Sequence, residues 1–137
     1  MNLERSLIAL LSLSTVSGCS SLPPTPVGAL TPSILNADKE KYDGQVVKVV
    51  GWMRSESEMY GLWESKSANK EGSYAKNCVS LRIPTSMDTA QFNKRYVEIE
   101  ATFISKLPAD VIRLGACNTT TLQLAGDALP KILNQEK

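Results

Sequence analysis

The ten residues Gln45 to Arg54 constrain this chain more than any others, because four valines, Val46, Val47, Val49 and Val50, crowd into five consecutive positions. β-Branched side chains lose rotamer freedom in a helix and fit a pleated surface instead. Strand alternation places Val47, Val49 and Met53 on one face and Val46, Lys48, Val50 and Trp52 on the other. Gly51 inside so strong a β run predicts a bulge or a sharp bend, through which one long strand turns from one side of a barrel to the other. Asp43-Gly44, just ahead, supplies a turn. The fold is therefore built around a sheet, with this strand at its centre.

The flanking sequence fills in the remaining elements. Ser33 to Lys39 reads as a short helix capped by Thr31 or Ser33, with Pro32 suited to its first turn. After the short polar loop Ser55 to Glu58, Met59 to Glu64 forms a second strand and closes a hairpin. Ser65 to Asn77, polar, with Gly72 and no apolar period, is a long loop. It leads into a third strand, Cys78 to Ile83, with Val79, Leu81 and Ile83 inward, and Pro84 ends that strand. Ser86 to Asn93 is a short helix with Asp88 near its start. In the fourth strand, Arg95 to Ser105, Val97, Ile99, Ala101 and Phe103 oppose Tyr96, Glu98, Glu100 and Thr102. A loop through Pro108 and Gly115 reaches the last strand, Ala116 to Leu124, and the tail Asp127 to Lys137 forms a final helical turn or two, with Leu129, Ile132 and Leu133 available to dock.

Five strands, the first long and glycine-bent, with a short helix between the third and fourth, is the order of an OB-fold barrel. The fold class is accordingly mainly β, a five-stranded OB-fold-like barrel with one or two short helices. The run from Tyr42 to Trp52 resembles the opening of small exported proteins with a nucleic-acid-binding-like OB barrel, a helix followed by Tyr-Asp-Gly and then alternating valines up to a glycine. That resemblance covers residues 33 to 125 and implies the fold rather than a ligand. In such a barrel the third and fifth strands lie side by side and parallel. Cys78 opens the third and Cys117 nearly opens the fifth, so the two are expected to form a disulfide. Metal ligation by the two thiols is the alternative, but the chain has no His and no Cys-x-x-Cys spacing.

The third cysteine belongs to the N-terminus. An apolar core from Leu7 to Val16, one basic residue (Arg5) ahead of it and small residues behind it make an export signal. The core is about half of the ~20 residues that span a bilayer. The signal resembles that of bacterial lipoproteins, whose cleavage box has an aliphatic residue, a small residue and Gly or Ala before an obligatory Cys; Val16, Ser17, Gly18 and Cys19 fill those places in order. Glu4 beside Arg5 departs from the usual basic start. The resemblance implies a diacylglycerol on the Cys19 thiol and acylation of its freed amine, which anchors a protein stably without spanning the membrane. Ser20 rather than Asp after that Cys implies the outer membrane, with the domain facing the periplasm. Residues 1–18 are thus read as signal peptide, 19–32 as acylated Cys and tether, and 33–137 as the barrel domain. Pro23, Pro24, Pro26 and Pro32 keep the tether extended, and a dozen such residues reach roughly 40 Å.

Charge narrows the partners. The chain carries 15 Lys and Arg against 14 Asp and Glu, and removing Arg5 and Glu4 with the signal leaves 14 against 13. That balance argues against nucleic acid, whose phosphates demand clustered excess cations; Lys39-Glu40-Lys41 and Lys94-Arg95 read as solvated faces. No catalytic constellation appears. The usual general base near neutral pH is missing with His. The carboxylate pairs Glu56 with Glu58 and Glu98 with Glu100 have the ordinary spacing of solvated strand residues. The protein is read as a non-enzyme without metal or cofactor.

The aromatic residues are the candidate ligand contacts, since OB folds stack rings on bases and sugars. Trp52, Tyr60, Trp63 and Tyr74 are the candidates, with Tyr96 beside them. Either Trp52, Tyr60 and Tyr96 form an outward platform, or Trp52 and Trp63 complete the barrel core and leave Tyr60 partly exposed. Three functions follow: an accessory binding module for another envelope protein, an inhibitor or immunity protein against a toxin or cell-wall hydrolase, and a binder of glycan or peptidoglycan fragments.

Overall fold

The computed structural model describes residues 28–57, 59–71, 74–110, 117 and 120–134. In chain order it contains helices α1 (Pro32–Ala37) and α2 (Lys39–Tyr42), strands β1 (Val46–Glu56) and β2 (Met59–Trp63), helices α3 (Lys66–Glu71) and α4 (Tyr74–Asn77), strand β3 (Cys78–Arg82), a 3-10 turn at Ala90–Phe92, then β4 (Arg95–Ile104), β5 (Thr121–Gln123) and β6 (Lys131–Ile132). The strands run β1-β2-β3-β5-β4 and return to β1, which closes a five-stranded barrel, with β6 added beside β4. β3 and β5 are parallel and the other pairs antiparallel, the arrangement of an OB fold.

The length of β1 makes closure possible. Val46 to Met53 pair with Thr102 to Arg95, while Trp52 to Glu56 pair with Trp63 to Met59, so one strand serves both neighbours. The register with β4 is unbroken through Gly51, so no bulge interrupts it there, and the register with β2 begins one residue later at Trp52. Gly51 serves close approach instead: a Cβ on it would lie 2.5 Å from the Trp63 carbonyl oxygen and 2.8 Å from Leu62 Cγ. Where β1 passes from β4 to β2, only hydrogen fits between the strands.

The valine alternation is realised as read, with Val47, Val49 and Met53 buried and Val46 two-thirds exposed. With Leu62, Val79, Leu81, Val97, Ile99, Ala101, Phe103 and Leu122 they fill the barrel, which Leu35 of α1 and Phe92 of the 3-10 turn help to close. The Asp43-Gly44 turn is present, with Gly44 at φ 73° and its N–H donating to the Phe103 carbonyl.

Four elements differ from expectation. The segment 65–77 holds two short helices: the Ser65 hydroxyl accepts the Ala68 N–H as a cap, and Ala68 is buried. The helix expected over Ser86 to Asn93 shrinks to one 3-10 turn. Asp88 stands just ahead of its N-cap Thr89 and accepts the Ala90 N–H, while Asn93 is committed to the Ser55 N–H and Glu56, and Lys94 turns the chain at φ 58°. Of the expected strand Ala116 to Leu124, Ala116, Asn118 and Thr119 lie outside the described residues and β5 covers Thr121–Gln123, with the Ser80 N–H to the Thr120 carbonyl and the Leu124 N–H to the Arg82 carbonyl extending its pairing. The tail is a strand and not a helix. Pro130 cannot continue a helical ladder, and Val97 and Glu98 pair with Ile132 and Lys131 while the Leu133 N–H donates to the Tyr96 carbonyl.

Backbone pairing to the barrel also reaches ahead of residue 33. The Leu30 N–H donates to the Lys48 carbonyl and the Val50 N–H to the Leu30 carbonyl, so the last residues of the Pro-rich stretch bridge in parallel to β1. In α1, Thr31 takes the capping position without a side-chain cap bond, and the Ser33 N–H is satisfied by the Glu64 carboxylate at 2.9 Å. Cys19 and the signal segment lie outside the described residues.

Candidate functional site

Register alone places four of the residues that matter in one row. Tyr96 pairs with Trp52, Trp52 with Trp63 and Trp63 with Cys78, so their side chains share a face across β4, β1, β2 and β3. The neighbouring pair Met53 and Leu62 belongs to the barrel core, so the row lies on the outside of the barrel. There Trp52 and Trp63 meet edge to face, with ring centroids 6.4 Å apart and planes at 71°.

This outer row is closed over. Trp52, Trp63, Ala68 and Cys78 form a buried cluster, with Met59, Tyr96 and Cys117 packed against it. Helix α3 brings Ala68 onto the rings. The Tyr96 hydroxyl accepts the Lys66 N–H at 3.1 Å and so fixes the start of that helix, while the Glu64 N–H donates to the Asn77 carbonyl at the base of the excursion. On the other flank Cys117 is joined to Cys78 by the expected disulfide, with Cα atoms 5.2 Å apart at a sequence separation of 39. Gly61 makes room for both. A Cβ there would lie 2.7 Å from the Trp63 ring and 2.8 Å from Cys117 Sγ.

Asn36 bolts this assembly to α1. Its Nδ2 donates to the carbonyls of Lys76 and Cys78, each at 2.9 Å, and its Oδ1 accepts from the Thr120 hydroxyl at 2.6 Å. One amide therefore ties together α1, α4, β3 and the start of β5.

The structure separates the candidate ligand residues. Trp52 is 6% exposed and Trp63 fully buried, neither on an open platform nor inside the barrel core. Tyr60, 39% exposed, stands at the opposite parity of β2, with Leu62 rather than Trp63, and so does not share the tryptophans' face. Tyr74 opens α4; its side chain lies outside the described residues.

The carboxylates occupy different settings. Glu56 is gripped by Lys94 Nζ at 3.0 Å, Arg54 Nε at 3.1 Å and Asn93 Nδ2 at 3.3 Å. The Lys94 ammonium, followed by Asn93, lowers its pKa from the ordinary glutamate value. It is a satisfied corner of β1. Glu58 lies outside the described residues. Glu100 faces Lys48 at 3.8 Å across exposed strand surface, with Glu98 two residues before it on the same strand. At the far ends of β3 and β5, a shallow groove of about 180 Å³ is lined by Arg82, Ile83, Pro84, Gln123 and Leu124. Among the described residues no three His, Cys, Asp or Glu side chains gather as a metal site.

Sequence reasoning missed the cover, and with it Asn36, Gly61 and Ala68. One signal was available: Ser65 stands three residues before Ala68 at the head of Lys66-Ser67-Ala68-Asn69-Lys70-Glu71, a cap followed by residues mostly compatible with a helix. No protein-family model, no curated protein and no solved structure matches this chain.

Proposed function

We propose that this chain is a lipoprotein anchored through Cys19 in the outer membrane, facing the periplasm, and that its barrel is a non-catalytic binding module for another envelope protein. One observation favours protein binding over glycan binding: the two tryptophans best suited to stack on a sugar are buried beneath α3 and Cys117. A glycan binder of the OB type keeps its rings open. Among the described residues, the large apolar side chains that stand exposed are Ile34, Val46, Tyr60, Leu129 and Ile132. The disulfide agrees with an oxidising compartment.

The test is cross-linking and co-purification of the lipidated full chain from its native envelope, with Cys19→Ala as the untethered control. One dominant protein partner, lost with the anchor, is the expected result. Retention on isolated peptidoglycan with no protein partner would replace this reading by the glycan one.

A further inference from the structure

The apolar residues fall into two clusters on opposite sides of one sheet, and the disulfide belongs to only one of them. Cys78 and Cys117 pack with Trp52, Trp63 and Ala68 outside the barrel, whereas the barrel core contains neither cysteine and neither tryptophan. The two cysteines are unequally placed: Cys78 is fully buried and Cys117 half-buried, so Cys117 is the member of the pair on the solvent side, from which a reductant approaches. Cys117 meets the sheet through the disulfide and through its packing over Gly61.

We propose that Cys78–Cys117 is a redox latch on the outer aromatic cluster, which a dithiol reductant opens while the barrel stays folded. A thiolate of the reductant attacks Cys117 Sγ, the Cys78–Cys117 bond breaks, and Cys78 leaves as a thiolate that takes up a proton. The second thiol of the reductant then attacks the mixed disulfide. It forms the reductant's own disulfide and releases Cys117 as a thiol. Two electrons pass from the dithiol to the protein.

Once Cys117 is free, nothing covalent holds it over Gly61, and the flank of Trp63 that it covers opens to water. The Asn36 bonds to the Lys76 and Cys78 carbonyls involve no sulfur and survive the change, and they keep β3 in register. The latch therefore acts on one face of the sheet. This inference does not rest on the anchor or on any partner.

The chain contains two tryptophans, and both sit in the outer cluster. Its tryptophan emission therefore reports on that cluster alone. The experiment compares emission and acrylamide quenching of the full chain in detergent, oxidised and after dithiothreitol, with far-UV circular dichroism and urea unfolding on the same samples. Reduction is expected to shift emission to the red and raise quenching several-fold, with the β signal and a cooperative transition retained; the Cys78→Ala, Cys117→Ala double variant should match the reduced protein without reductant. Unchanged quenching after reduction, verified by thiol titration, would overturn the proposal, and so would loss of the cooperative transition, which would make the disulfide a support of the whole fold.

Discussion

The inside of the barrel and the aromatic layer on its outside are both buried clusters, but they are built by different means. Inside, fourteen buried side chains come from all five barrel strands, α1, the 3-10 turn and the end of β5, and each strand contributes small increments at every second position. Outside, the cover is a helix of six residues whose buried apolar contribution is Ala68, so the bulk must come from the sheet it covers. Two tryptophans and a disulfide supply it. A short excursion with little to bury can still close a face, provided the sheet beneath presents large rings and a covalent tie holds the far flank.

Breaking the inside should cost most. Phe103→Ala removes a fully buried ring from the middle of the barrel and should destabilise by about 3–5 kcal/mol, read as a lower urea midpoint. Trp52→Ala strikes the outer cluster at a slightly exposed member and should cost about 3 kcal/mol, the lower end of the range for large aromatics. The comparison sharpens if the Phe103 variant raises quenching of the tryptophans while the Trp52 variant leaves methyl signals of Val49 and Ile99 in place by NMR. Asn36→Ala cuts the amide that joins the two layers, and losing those bonds should cost about 1–3 kcal/mol, measured by the same unfolding experiment.

Smaller effects test polar details. Thr121 is fully buried on β5, and its hydroxyl has no hydrogen-bond partner among the described residues. Thr121→Val keeps the shape and should be neutral or stabilising by about 1 kcal/mol; a clear loss would mean the hydroxyl is satisfied. The smallest effect concerns acid. The Asp43 carboxylate accepts the Ser105 N–H at 2.7 Å, and that bond, then the Ser105 side chain, lowers its pKa. A depressed folded pKa gives stability that is present above the unfolded value and lost as pH falls through the folded one. Asp43→Asn should therefore flatten the acid limb of a stability-against-pH curve and change little at neutral pH.

This division also explains what could be read from the chain. The strands of the barrel were legible because period-two alternation states both their existence and their inward face, as in Val97, Ile99, Ala101 and Phe103. The disulfide followed from the parallel placement of β3 and β5. The cover was not legible because Ala68 is one small residue in a polar run, and helices this short take their stability from what they touch. Parity did carry one further message that aromatic content obscured: Tyr60 and Trp63 are three residues apart on one strand, so they cannot share a face. The tail misled because Leu129, Ile132 and Leu133 have helical spacing, and Pro130 among them outweighs it.

The bridge at Leu30 has a mechanical meaning. Approached from the N-terminus, the first backbone bonds met among the described residues are Leu30 N–H to Lys48 and Val50 N–H to Leu30, ahead of every helix and of the barrel itself. A pull on the preceding segment strains this two-bond clasp before it reaches anything that holds the domain's shape. It can give way and re-form like a fuse, adding a few residues of slack while the barrel beyond it stays undeformed.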